Sequence, residues 1–239
     1  MNNYYPWIYE FSRRKNLLTL GFIYIFSLVI SYISLVSPES TFVRTWLNDV
    51  LALVNSAHRV FQGQFPSIDF HTLYGPLVFY FPALGFHAGL PPSTVLAFGG
   101  VLAAAILLLA ATLTMYSRFS LPAAVTTLVF LWLLIVVPMG SGKGYSEITW
   151  GAYYNRHAWA AVAIIFLFYV EPKNEHLWDK WIDSFILSVL AVFAFYTKIT
   201  YGLVAVGFVL ANIISSKYNR KICIISIVFF IFFALLSEI

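Results

Sequence analysis

The chain has 239 residues, of which 61% are hydrophobic and 10% charged, where a soluble domain carries roughly 25% charged residues. Long apolar runs without strand-length alternation make it an all-α polytopic membrane protein, not a soluble domain or a β-barrel. The net charge of +4 is small and dispersed, so nucleic acid is not an expected partner, and the single cysteine, Cys223, provides neither an intrachain disulfide nor a cysteine-based metal site.

In chain order, Arg13-Arg14-Lys15 precedes an apolar run, Leu17 to Val36, with no small-residue cleavage site; it reads as a retained signal anchor. Phe42 to Phe61 has a helical two-faced pattern. Val43, Trp46, Leu47, Val50, Leu51, Leu53 and Val54 are apolar, against Arg44, Asn48, Asp49, Asn55, Ser56 and Arg59. Such a helix lies on the membrane surface, with Ser40 or Thr41 as its cap. Gly75 to Leu90 is apolar but short, and is punctuated by Pro76, Pro82, Gly85 and Gly89. Longer runs follow at Thr94 to Tyr116, Leu121 to Pro138, Gly151 or His157 to Val170, and Ile222 to Ser237. Trp181 to Ile214 as one helix would measure about 50 Å at ~1.5 Å per residue, too long for one pass. The break Thr197-Lys198-Ile199-Thr200-Tyr201-Gly202 divides it.

Charge sets the topology. If Gly75 to Leu90 does not cross, Arg13, Arg14, Lys15, Arg118, Lys173, Lys180, Lys217, Arg220 and Lys221 share one side. Arg44, Arg59, Lys143, Arg156 and Lys198 take the other, as the positive-inside rule asks. If it crosses, the cluster Lys217, Arg220, Lys221 is pushed outside. The expectation is therefore about seven transmembrane helices in one module, residues 1–239, in the plasma (inner) membrane with a cytoplasmic N-terminus. The first outer loop, 37–92, carries the amphipathic helix and a re-entrant or interfacial helix. The ending Phe232 to Ile239, directly after a span, reads as an incomplete C-terminus.

The candidate chemistry falls on the outer face. Asp49 is fixed beside the bilayer by its helix and is placed to take a proton from an acceptor hydroxyl; Asp69 is a second carboxylate, with a solvated loop aspartate as the bland reading. Asp69-x-His71 leaves a divalent metal open, but two ligands do not define one, and His71 reads better as a hydrogen-bonding loop residue. Tyr74 serves either as an interfacial belt residue or as a substrate contact. Glu147, Asn155 and Arg156 sit in or beside an outer loop rich in Gly, Tyr and Trp, which suits a sugar; Arg156 is either a lipid-phosphate contact or a snorkelling arginine. Gly140-Ser141-Gly142-Lys143-Gly144 is not a P-loop, because Gly144 stands where Ser or Thr is needed and no strand precedes it. Lys198, an ammonium between two apolar runs, is costly unless paired or wetted, and a phosphate is its natural partner.

These residues resemble a family. Asp49, then Arg59-Val60-Phe61-Gln62-Gly63-Gln64-Phe65-Pro66, Asp69-Phe70 and Tyr74-Gly75-Pro76-Leu77, is similar to the first outer loop of GT-C glycosyltransferases. The branch it resembles contains protein O-mannosyltransferases and lipid A aminoarabinose transferases. Tyr153-Tyr154-Asn155-Arg156-His157 and Phe195-Tyr196-Thr197-Lys198 resemble the family's Arg and Thr-Lys elements, so the likeness spans residues 13 to 214. It implies inverting transfer of a sugar from a polyprenyl-phosphate donor, Asp49 matching the catalytic carboxylate; Asp69, His71, Tyr74, Glu147, Asn155, Arg156 and Lys198 are then the residues expected to hold substrate. The acceptor is undefined. The chain departs from the family in three ways: the acidic pair is Asn48-Asp49, Tyr74 replaces a lysine, and family members are much longer. The rival expectations are a transporter or flippase of a small or lipid-linked substrate and an inactive truncated fragment.

Overall fold

The computed structural model describes residues 6–38, 47–137, 150, 153–172, 177–215 and 217–236. Among these the chain forms nine helices and no strand, with one isolated bridge between Pro66 and Phe70. They are α1 (Pro6–Leu35), α2 (Leu47–Phe61), α3 (Leu77–His87), α4 (Val95–Arg118), α5 (Leu121–Val136), α6 (Tyr153–Leu167), α7 (Leu177–Thr197), α8 (Ile199–Ser215) and α9 (Lys217–Leu236). A helix thus lies in each of the seven long apolar runs. Lys15–Leu35, Val95–Arg118 and Lys180–Thr197 are long and apolar enough to cross a membrane.

The small-residue run of α4 makes it the hub. Ala103, Ala104 and Ala111 are fully buried, and small side chains let helix backbones approach closely where apolar surface alone gives no drive to associate. α1, α3, α5, α6 and α7 all pack on it. On one flank the Tyr24 hydroxyl donates to the Ala105 carbonyl at 3.2 Å, and the Trp132 indole donates to Ser31 Oγ at 2.8 Å, joining α1 to α4 and α5. On the other flank α7 and α9 are joined through buried serines. Ser188 Oγ donates to the Ser226 carbonyl at 2.9 Å, and Ser226 Oγ to the Ser184 carbonyl at 3.1 Å.

α3 is the shortest of the described helices. Its 11 residues span about 16 Å at ~1.5 Å per residue, half of a ~30 Å hydrocarbon core. It turns back at Gly89, whose φ of +77° suits glycine, and lies against α4 and α2. The close packing is written in glycine: a Cβ at Gly99 would sit 2.9 Å from the Pro82 ring. α2 has the expected two faces, with Val50, Leu53 and Ala57 buried and Leu47 and Leu51 exposed. Ser40, Thr41 and the turn before Leu47, where its cap was expected, lie outside the described residues.

The predicted division of the long apolar stretch falls at Lys198, where the chain leaves α7 and enters α8. The Lys198 amide still donates to Ala194, but the amides of Tyr201 and Gly202 both turn to the Lys198 carbonyl, at 3.0 and 3.2 Å. The Thr197 carbonyl is left without a partner inside the helix, and the site is built on that vacancy.

Candidate functional site

Two elements meet where the α7–α8 junction opens. The amide of Gly75, in the loop before α3, donates to the Thr197 carbonyl at 3.0 Å. Position 75 must be glycine for this, because a Cβ would overlap the Tyr196 carbonyl. The contact brings Tyr74 to the junction, and Thr72 Oγ1 holds the Tyr74 amide at 3.1 Å. Nearby, the first turn of α6 is docked on α3 by the buried Tyr153 hydroxyl, which donates to the Val78 carbonyl at 2.8 Å.

Tyr154 stands at the centre. Its ring lies 4.5 Å from that of Tyr74, and the two phenols are hydrogen-bonded. The Lys198 ammonium sits 5.9 Å from the Tyr154 ring centroid, at the outer reach of a cation–π contact. The Asp49 carboxylate, half-buried in the first turn of α2, is close enough to act electrostatically on the Tyr154 phenol. Asn155 is turned to the same neighbourhood: it bonds Tyr154, and its Oδ1 accepts from the Tyr201 hydroxyl at 3.1 Å, while Trp159 stands edge-on to Tyr201 at 5.3 Å. Asp49, Tyr74, Asn155 and Lys198, far apart in sequence, therefore surround one tyrosine.

The other candidate residues are placed differently. Asp69 closes its own loop: its Oδ2 accepts the Phe65 amide at 2.7 Å, and Arg59 donates to the Asp69 carbonyl at 3.3 Å while lying over the Phe70 ring at 4.4 Å. Ser67 has a φ of 66° in that loop, a conformation the carboxylate helps to hold. His71 is exposed on the rim of a cavity between α2 and the 71–74 loop. Arg156 is half-buried beside His157, and His157 itself is buried and donates to the Ile135 carbonyl. Glu147 and Lys143 lie outside the described residues. Among the described residues no group of three or more His, Cys, Asp or Glu is placed to hold a metal.

Two arrangements were not foreseen. Tyr154 was visible in sequence only as a neighbour of Asn155 and Arg156; an aromatic at the mouth of an apolar helix carries no further mark. At the opposite end of the bundle, Arg118 and Asp183 form a two-pronged ion pair at 2.6 and 3.2 Å, with side chains 0% and 5% exposed. Arg118 also donates to the Val170 carbonyl at 2.9 Å and covers the Phe168 ring at 4.6 Å. It thereby ties the ends of α4, α6 and α7 together and is not a solvated loop cation. The available signal was Asp183 itself, a carboxylate inside an apolar stretch that calls for a cation.

No protein-family profile, no curated protein and no solved structure matches this chain.

Proposed function

We propose that the chain is a GT-C-type glycosyltransferase module whose seven long helices cross the membrane with the N-terminus in the cytoplasm. It moves a sugar from a polyprenyl-phosphate donor to an acceptor hydroxyl on the outer face. The observation that carries the reading is the convergence on Tyr154 of a carboxylate, Asp49, and an ammonium, Lys198. Among the described residues Lys198 has an aromatic face for company and no carboxylate, so an anionic ligand completes it.

The chemistry follows from the charges. The acceptor oxygen attacks the anomeric carbon as its proton passes to Asp49. The bond from that carbon to the phosphate oxygen breaks on the opposite side, inverting the centre. The electron pair leaves with the polyprenyl phosphate, whose growing charge Lys198 stabilises from fixed position, with Arg156 as the second cation. Tyr74 and Asn155, fixed through Tyr154 and Tyr201, position the reactants.

The test is transfer from a radiolabelled polyprenyl-phosphate hexose by the full chain in nanodiscs. Asp49→Asn should abolish product while leaving thermal unfolding unchanged. Full transfer by that variant refutes the role of Asp49, and flux of label into liposomes without any covalent product refutes the transferase reading.

A further inference from the structure

The cavity beside Asp49 differs in kind from the Lys198 end. It has a volume of about 260 Å³ and lies between α2 and the 71–74 loop. Ser56, His71 and Thr72 line it together with the half-buried Tyr74 and the exposed Ala52, and the buried Phe79 lies behind them. Among the described residues that line it, none is Asp, Glu, Lys or Arg. Asp49 precedes Ala52 and Ser56 by three and seven residues on one helix, so all three share a face. Tyr74 belongs both to this wall and to the pair with Tyr154, on whose ring Lys198 rests. The site therefore has two compartments, one cationic and one neutral, with Asp49 between them.

We infer that the neutral compartment binds an uncharged single sugar ring as the acceptor, and hence that the transferase glycosylates a sugar hydroxyl and not a peptide side chain. The inference rests on the glycosyltransferase reading above. Hydroxyl and imidazole groups meet the hydroxyls on the edge of a pyranose, while the Tyr74 ring meets its C–H face. The volume is below the ~300–1,000 Å³ of pockets for drug-sized ligands, which fits one ring. The absence of charge among the described lining residues leaves a phosphorylated ring to the Lys198 side. The cavity is also bounded by a helix and a loop, not by a strand edge that would pair with an extended peptide.

The test uses Leu73→Cys as a reporter. Leu73 lines the cavity and is 78% exposed, whereas the one native cysteine, Cys223, is buried. Maleimide labelling of the full-length variant in nanodiscs is followed with methyl gluco-, manno- and galactopyranosides, hexose 6-phosphates, and a Ser/Thr-containing peptide. At least one neutral glycoside should slow labelling saturably and more than its phosphate. Ser56→Phe, or the milder Ala52→Leu on the exposed side of α2, should remove that protection in a protein that melts normally. Protection by the peptide alone, protection by none of the neutral glycosides, or protection indifferent to both fillings overturns the inference. Because labelling needs no catalysis, the outcomes separate cleanly. Protection without any covalent transfer by the wild-type chain defeats the glycosyltransferase reading, and transfer by the wild-type chain without protection defeats only the acceptor.

Discussion

Gly75 and Thr197 are joined backbone to backbone, at 3.0 Å, across the only approach between the loop before α3 and the α7–α8 junction that the described hydrogen bonds provide. A methyl group at Gly75 has no room beside the Tyr196 carbonyl. Gly75→Ala must therefore move the loop away from the junction, or the junction away from the loop. Overpacking of this kind costs about 1–3 kcal/mol. The variant should melt at lower temperature and lose transfer more severely than stability, because Tyr74 moves with the loop. A Gly75→Ala protein with unchanged melting and unchanged transfer would show that the contact holds nothing together.

The Arg118–Asp183 pair predicts a stability effect with no bearing on chemistry, since it lies at the other end of the bundle. Removing one partner leaves the other as an unpaired buried charge, which costs about 3–5 kcal/mol. Asp183→Asn should therefore destabilise the protein strongly in a thermal melt. Replacing both at once, with Arg118→Met and Asp183→Leu, should recover much of that loss, since well-packed apolar groups often equal a buried ion pair. A double variant as unstable as the sum of the two singles would contradict this account.

The same pair marks where sequence reasoning stopped. Arg118 at the end of an apolar run reads as a positive-inside cation, and nothing local reveals that its partner is Asp183 on another helix. The loop role of Asp69 was hidden for a related reason: its carboxylate accepts the Phe65 amide in a loop with a positive φ at Ser67, which serine does not advertise. The elements themselves were legible because their causes are local. The polar break around Lys198 divides α7 from α8, the two-faced pattern makes α2, and Pro76 and Gly89 bound α3 at 11 residues. The convergence on Tyr154 was not legible, because it depends on the Gly75–Thr197 contact between segments distant in the chain.

The serines between α7 and α9 should matter little one at a time. Interhelical side-chain hydrogen bonds in membrane proteins average about 0.6 kcal/mol. Ser226 both donates to the Ser184 carbonyl and receives the Ser188 hydroxyl at its own carbonyl. Of these two interhelical bonds, Ser226→Ala removes the first and Ser188→Ala the second, each hydroxyl also bonding a carbonyl four residues back, at 2.8 and 2.7 Å. Each should lower stability by about that amount, and the double variant should be close to additive. A loss of several kcal/mol from either single change would mean that packing, and not these bonds, is what the serines supply.

Lys198 and Tyr154 give the sharpest test of how the anion end works. If Lys198 meets a phosphate, Lys198→Met should raise KM for the donor and lower kcat, since charge stabilisation grows as the leaving group departs. Lys198→Arg keeps the charge and should retain part of both. Tyr154 acts through its neighbours, so its variants separate two contributions. Tyr154→Phe keeps the ring beneath the ammonium but removes the phenol that bonds Tyr74; it should leave donor KM close to wild type while lowering kcat. Tyr154→Leu also removes the aromatic face, a contact worth about 0.5–1 kcal/mol when exposed and up to ~2 when desolvated. That corresponds to a further rise in donor KM of roughly two- to thirtyfold at ~1.4 kcal/mol per tenfold. Equal effects of Phe and Leu on donor KM would show that the ring does not hold Lys198 in place, and the ammonium would then have to be positioned by the α7–α8 junction alone.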